Sequence, residues 1–185
     1  MKRSSAFTLA EVLITLAIIG VVAAMTIPGV IVRTNQQEFK TGFRKAISVL
    51  NQAVTMNLAI DNESPAEVAN QTDMMAYLTK RMNVIRSNIS VTGGNKAFYT
   101  ADGFRYEIPT NGMANCTTTA PCIIGVDVNG DRGPTSATER TDLTSNYPAA
   151  NDTRVLDFFP IMVTDVSVQP YGAVAQRTMY QADNN

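Results

Sequence analysis

An α+β fold is predicted by one long helical stretch at the start of the chain and a succession of short strand-like runs after it. Three observations carry that prediction. Val12 to Val32 are 21 consecutive residues without a charge. From Phe39 onward apolar residues return at steps of three and four. Beyond residue 96, β-branched and aromatic runs alternate with Gly-, Asn- and Asp-containing turns.

The uncharged run comes first. At 1.5 Å per residue it reaches roughly 30 Å, the hydrocarbon thickness of a bilayer. Lys2 and Arg3 precede it and no comparable basic excess follows Arg33, which keeps the N-terminus cytoplasmic and sends the rest outward. An ordinary secretory signal is the alternative, with Val12 to Val22 as its apolar core and Val22-Ala23-Ala24 as a small-residue cleavage site leaving Met25 first. Against it stands Glu11, a carboxylate set directly against the apolar run. A lone carboxylate at the edge of hydrocarbon costs several kcal/mol unless it is paired, neutralised or able to snorkel to the headgroups. Gly20 and Pro28 punctuate the span, and a kink or local melting is expected there.

Past Arg33 the helical period continues as an amphipathic face of Phe39, Phe43, Ile47, Leu50, Val54 and Leu58, with Lys40, Arg44, Lys45 and Asn51 between. This face is expected to pack on the globular part, and the helix to end near Asp61-Asn62. Ser64-Pro65-Ala66-Glu67 reads as a capping box with proline at the first helical position, predicting a second helix from Pro65 to about Met82. Strands are expected at 97–100 and 104–108, flanking the Asp102-Gly103 turn, and at 123–128, 155–163 and 166–168. A short helix over 173–180 closes the chain. The sheet should be small and mostly antiparallel.

Composition narrows the function. The 185 residues contain no histidine and two cysteines, which removes Ser-His-Asp and Cys-His nucleophiles and His-ligated zinc. No pair of acids forms a recognisable catalytic motif, so no enzyme is expected. The formal charge is −1 with no basic block beyond the first residues, so no nucleic-acid partner is expected either. Cys116 and Cys122 enclose five residues, and in an oxidising envelope a local disulfide follows. Asp127, Asn129 and Asp131 place oxygens at alternate positions of a Gly-rich turn, a pattern that suits calcium, with Asp142 as a possible distant ligand. It is not an EF-hand, because Arg132 and Thr138 stand where glycine and a bidentate acid are required. A plain Asn-Gly turn solvated by its own acids is the competing reading.

The string Ala6-Phe7-Thr8-Leu9-Ala10-Glu11 before the apolar run resembles the processing site of type IV pilins and type II secretion pseudopilins. That resemblance implies cleavage between Ala6 and Phe7 by prepilin peptidase, N-methylation of Phe7, and retention of the helix. Ala6 departs from the glycine usual before the cut. The resemblance also implies that Glu11 pairs with the Phe7 amine of a neighbouring subunit, and that Gly20 to Pro28 loosens on assembly. Major pseudopilins bind calcium in a C-terminal loop, and the Asp127 turn looks like a candidate equivalent.

The implied organisation is a leader at 1–6, a transmembrane and assembly helix at 7–33, its amphipathic half at 34–62, and a globular extracytoplasmic α+β domain at 63–185. The implied function is that of a pilus or pseudopilus subunit. Its partners would be copies of itself, other pilin-like subunits, the peptidase, membrane lipid and an inner-membrane assembly platform. The alternative is a membrane-tethered or secreted calcium-dependent binding protein.

Overall fold

The computed structural model describes residues 8–135, 140, 143 and 156–180. The chain divides into two compact units, Met1–Gln37 and Glu38–Asn185. Helix α1, Leu9–Met56, runs through both.

In the first unit α1 is an exposed apolar helix. It is the one helix among the described residues long and apolar enough to cross a membrane. Of the kink or local melting expected between Gly20 and Pro28, the single chain shows no melting: α1 is helical throughout with Pro28 inside it. The physical reason is economy of loss. A proline removes a single backbone hydrogen bond, and the turns on either side keep theirs. Thr26 adds a side-chain bond, its Oγ1 donating to the Val22 carbonyl at 3.0 Å.

In the second unit the remainder of α1 buries Phe39, Phe43, Ala46, Ile47, Leu50, Ala53 and Val54. The amphipathic face is therefore used as its spacing predicts, except at its end. Residues Asn57–Asp61 continue as a π-helical turn closed by Asn62 in the left-handed region. In that wider turn Asn57 points inward, fully buried, and Leu58 stays 42% exposed. The buried Asn57 amide donates to the Tyr77 carbonyl at 2.9 Å and accepts from Arg81 Nε at 3.2 Å.

The second helix is shorter than predicted. Pro65–Glu67 forms only a 3₁₀ turn, and α2 spans Gln71–Thr79. Two constraints override the capping box at Ser64. Asn115 and Cys116 donate their N–H groups to the carbonyls of Val68 and Pro65, which holds that stretch out of a helix. Asn70 then caps α2 by accepting from the amides of Thr72 and Asp73.

Among the described residues six strands follow: β1 Val84–Ser90, β2 Lys96–Thr100, β3 Arg105–Ile108, β4 Cys122–Asp127, β5 Phe158–Val163 and β6 Val168–Pro170. They pair in sequence order, every pair antiparallel. Strand β1 is absent from the sequence expectation. It is an edge strand, mostly exposed, with an irregular register and Asn88 at φ 58°, so it lacks the alternation that marks a half-buried strand. Expected strand 155–163 begins at Phe158, with Val155 outside the described residues. Expected strand 166–168 is displaced to Val168–Pro170, because Thr164 to Ser167 close a tight turn through Thr164 N–H to the Ser167 carbonyl. Helix α3 covers Ala173–Tyr180, as expected.

The period of two along the strands separates two environments. Phe98, Tyr106, Ile108, Ile124, Val126, Phe159, Ile161 and Val163 join the α1 stripe in one core, with Phe43 and Phe159 rings 4.5 Å apart. Cys116 and Cys122 are disulfide-bonded with Cα atoms 5.1 Å apart, and both lie buried at the edge of that core.

Helix α1 also completes the last strand. Asn51 Nδ2 donates to the Val168 carbonyl at 2.7 Å, and Val168 N–H donates to Asn51 Oδ1 at 2.8 Å. One side-chain amide thus serves the edge of β6 as another strand would. Replacing it leaves a backbone donor and acceptor unsatisfied, so Asn51→Ala is expected to destabilise the second unit by about 1–3 kcal/mol. Urea unfolding of wild type and variant at equal m-value measures this, and a midpoint unchanged between them contradicts it.

Candidate functional site

The first turn of α1 holds the most specific chemistry in the described chain. Thr8 stands at the head of the helix and Glu11 three residues on, the spacing of a capping box. Thr8 N–H and Thr8 Oγ1 both donate to Glu11 Oε2 at 2.8 Å. In return Glu11 N–H donates to Thr8 Oγ1 at 3.3 Å. The carboxylate that the sequence leaves isolated is therefore engaged within its own chain. Its negative charge also sits at the positive end of the helix dipole. The Thr-x-x-Glu spacing of Thr8 and Glu11 is itself a cap signal legible in the sequence. Ala6 and Phe7 lie outside the described residues.

Gly20 faces open space, as does Gly29: a side chain at either position would meet nothing within 4 Å. Neither glycine is required by packing inside the chain. The two lie about 180° apart around the helix, so each leaves a separate spot where another helix can approach closely.

In the second unit the turn after β4 gathers charge. Asp127 is fully buried, and Arg140 Nε donates to its Oδ2 at 2.6 Å while Arg140 also reaches the Gly130 carbonyl at 3.2 Å. Asp131 instead accepts from Tyr99 Oη at 2.8 Å and pairs with Arg105, whose Nη2 lies 2.6 Å from the Glu107 carboxylate as an ion pair. Asn129 donates to the Gly133 carbonyl at 2.9 Å. Asp157, buried beside them, accepts from Thr135 through its hydroxyl and its amide.

Asp127, Asn129 and Asp131 are thus each engaged by partners within the chain. Among the described residues no group of three acids, histidines or cysteines is placed to hold a metal ion, and Asp142 lies outside them. The two carboxylates are met by guanidinium groups, each giving charge and directed donors at once. Neither arginine was read as a partner, since each is distant in sequence from its acid or lacks any local spacing signal.

A groove of about 430 Å³ lies elsewhere, lined by Glu63, Glu67, Asp73, Tyr77 and Lys80 among others. Its one cation is committed: Lys80 Nζ is 2.8 Å from Glu63 and 3.0 Å from Asp61.

Residues 1–27 match the family model described as the prokaryotic N-terminal methylation motif. The chain carries the type IV pilin and pseudopilin prepilin signal. The methylation motif takes in Ala6, Phe7, Thr8, Glu11 and Gly20, and ends one residue before Pro28. It implies processing by prepilin peptidase and assembly with other pilin-like subunits, and the apolar helix behind it fits membrane anchoring. No curated protein and no solved structure matches the chain.

The buried acids give a pH dependence with a definite sign. Burial and the charge of Asp157 push the Asp127 carboxyl up to about 7, against the opposing pull of Arg140. A carboxyl raised above its unfolded value of about 3.9 holds its proton more tightly when folded. The stability it contributes is thus present below about pH 4 and lost as pH rises through about 7. The melting temperature of the unit from Glu38 onward is expected to fall between pH 5 and pH 8, and Asp127→Asn to flatten that slope. Parallel slopes for the two proteins would count against this assignment.

Proposed function

We infer that this chain is a structural subunit of a pilus or pseudopilus, serving type II secretion or a type IV pilus-like machine. The carrying observation is the methylation motif over residues 1–27 joined to an exposed apolar helix with an acid at its head. In this reading prepilin peptidase cuts between Ala6 and Phe7, the Phe7 amine is methylated, and the helix remains in the cytoplasmic membrane with the sheet domain outside. Lys2 and Arg3 set that orientation. Assembly brings the apolar faces of neighbouring helices together and joins Glu11 to the amine of another subunit. A carboxylate and an amine, each costly at the hydrocarbon edge, then satisfy one another. Nothing in this role needs catalysis.

Two measurements test the reading. The mature protein is expected to begin at methylated Phe7 by N-terminal sequencing and mass, and a terminus at Met25 would sink it. Glu11→Gln is expected to leave the chain processed and membrane-bound while reducing sheared or sedimented filaments to background.

A calcium-dependent tethered or secreted binding protein is the competing reading, in which a cation would have to displace the guanidinium partners of Asp127 and Asp131. The melting temperature of the second unit is expected to agree within about 1 °C in calcium and in chelator. A ligand at 100 times its Kd adds roughly 2.7 kcal/mol, which moves the melting point of a domain this size by several degrees. A rise of that size in calcium favours the competing reading.

A further inference from the structure

We propose that Asn111-Gly112 is a self-modifying site, where the side-chain amide is lost to water and replaced by an aspartyl or isoaspartyl carboxylate, while the fold protects the chain's other Asn-Gly pair at Asn129-Gly130. The inference is independent of the assembly reading above. The sequence contains these two Asn-Gly pairs and no others. In each, glycine carries no Cβ to shield the backbone nitrogen that follows the asparagine. That nitrogen can attack the asparagine Cγ. The new N–Cγ bond closes a five-membered imide, the Cγ–Nδ2 bond breaks, and Nδ2 leaves as ammonia with the proton given up by the glycine N–H. Water then opens the ring at one of its two carbonyls. Opening at Cγ leaves aspartate, and opening at the main-chain carbonyl leaves isoaspartate, with the chain routed through Cγ. The sum is amide plus water giving carboxylate plus ammonium, with no oxidant or cofactor in the balance.

The surroundings separate the two pairs. Asn111 and Gly112 are both exposed, on the bend that follows β3. Gly112 has φ 74°, and a Cβ there would meet nothing within 4 Å. Cγ therefore has room to swing onto the nitrogen, and water has room to reach the ring. Asn129 is tied down instead: its Nδ2 donates to the Gly133 carbonyl at 2.9 Å, and its N–H donates to Asp127 Oδ1 at 3.1 Å. Gly130 is buried, and a Cβ there would come to 3.0 Å from the Gly103 carbonyl oxygen. Ring closure at Asn129 must break the bond to Gly133 and place a developing oxyanion on Oδ1, which is buried with no donor among the described residues. An uncompensated charge in such a place is costly. Each chain converted at Asn111 gains a negative charge on the loop after β3, so the surface of the second unit records the time since synthesis.

The test incubates the full chain in mildly alkaline buffer, folded in detergent and unfolded in guanidinium, and maps both pairs by mass spectrometry with isoaspartate scored by its separate elution. In the folded chain Asn111 is expected to convert at least about tenfold faster than Asn129, the ratio given by a barrier difference of ~1.4 kcal/mol. Isoaspartate is expected among the products, and in guanidinium the two pairs are expected to convert at similar rates. Asn111→Gln, which would have to close a larger ring, is expected to lose the acidic species that wild type accumulates on isoelectric focusing. Equal rates in the folded chain overturn the proposal. The same ratio in guanidinium as in the folded chain also overturns it, because neighbouring sequence and not the fold would then set the difference. Aspartate as the sole product at Asn111 overturns the imide step, and an acidic species undiminished in Asn111→Gln overturns the assignment to this site.

Discussion

The burial of one helix face against one sheet face is the contact from which the rest of the second unit follows. Seven residues of α1 between Phe39 and Val54 disappear into the core, and they meet strands whose inward positions are almost all aromatic or branched. The approach is close. A side chain at Gly42 would bring its Cβ to 3.1 Å from Val128, so the helix lies nearly in backbone contact with the end of β4. Lys45 beside it pairs with Asp102 at 3.0 Å and sits over the Phe104 ring, which ties the β2–β3 turn to the same stretch of helix. The sheet is a simple meander, so each strand takes its register from the neighbour before it in sequence.

Amides do much of the joining where secondary structures end. Asn51 completes β6, Asn57 reaches α2 through Tyr77, and Asn70 starts α2. Gln71 donates to the carbonyl of Ile108 at 2.6 Å, attaching α2 to β3. Each supplies an acceptor, a donor or both without bringing a charge into the interior, so it meets stranded backbone groups at little desolvation cost. Arg44 does similar work at the far end, where two of its nitrogens bond the Met179 carbonyl near the end of α3.

How much of this was legible in the sequence depended on whether the signal was local. The apolar span, the stripe from Phe39 to Val54, the Asp102-Gly103 hairpin and the Cys116–Cys122 pair all declare themselves by spacing within a few residues. Helix α2 starts later than its local spacing suggests because Asn115 and Cys116, far along the chain, bond the carbonyls of Val68 and Pro65 and leave Val68 extended after a single 3₁₀ turn. Strand β1 escaped because an exposed edge has no burial pattern to read. At the candidate sites, Glu11 was plain from its contrast with the apolar run. The carboxylates at Asp127 and Asp131 were seen as an oxygen cluster because their arginine partners, Arg140 and Arg105, reach them only through the fold.

The two faces of the sheet also differ in what they tolerate. Toward α1 the fit is apolar and close, so a change at Phe98 or Ile161 must be matched by a change across the interface. On the reverse face the chain after β4 is attached at separated points, by the Arg140–Asp127 and Arg105–Asp131 pairs and by Thr135 on Asp157. Point attachments constrain the residues that make them more than a close-packed interface constrains each of its members. Substitutions can therefore accumulate on that side of the domain while the helix at its back stays the same. A lineage built on this plan would keep its helix constant and renew the opposite face of its sheet.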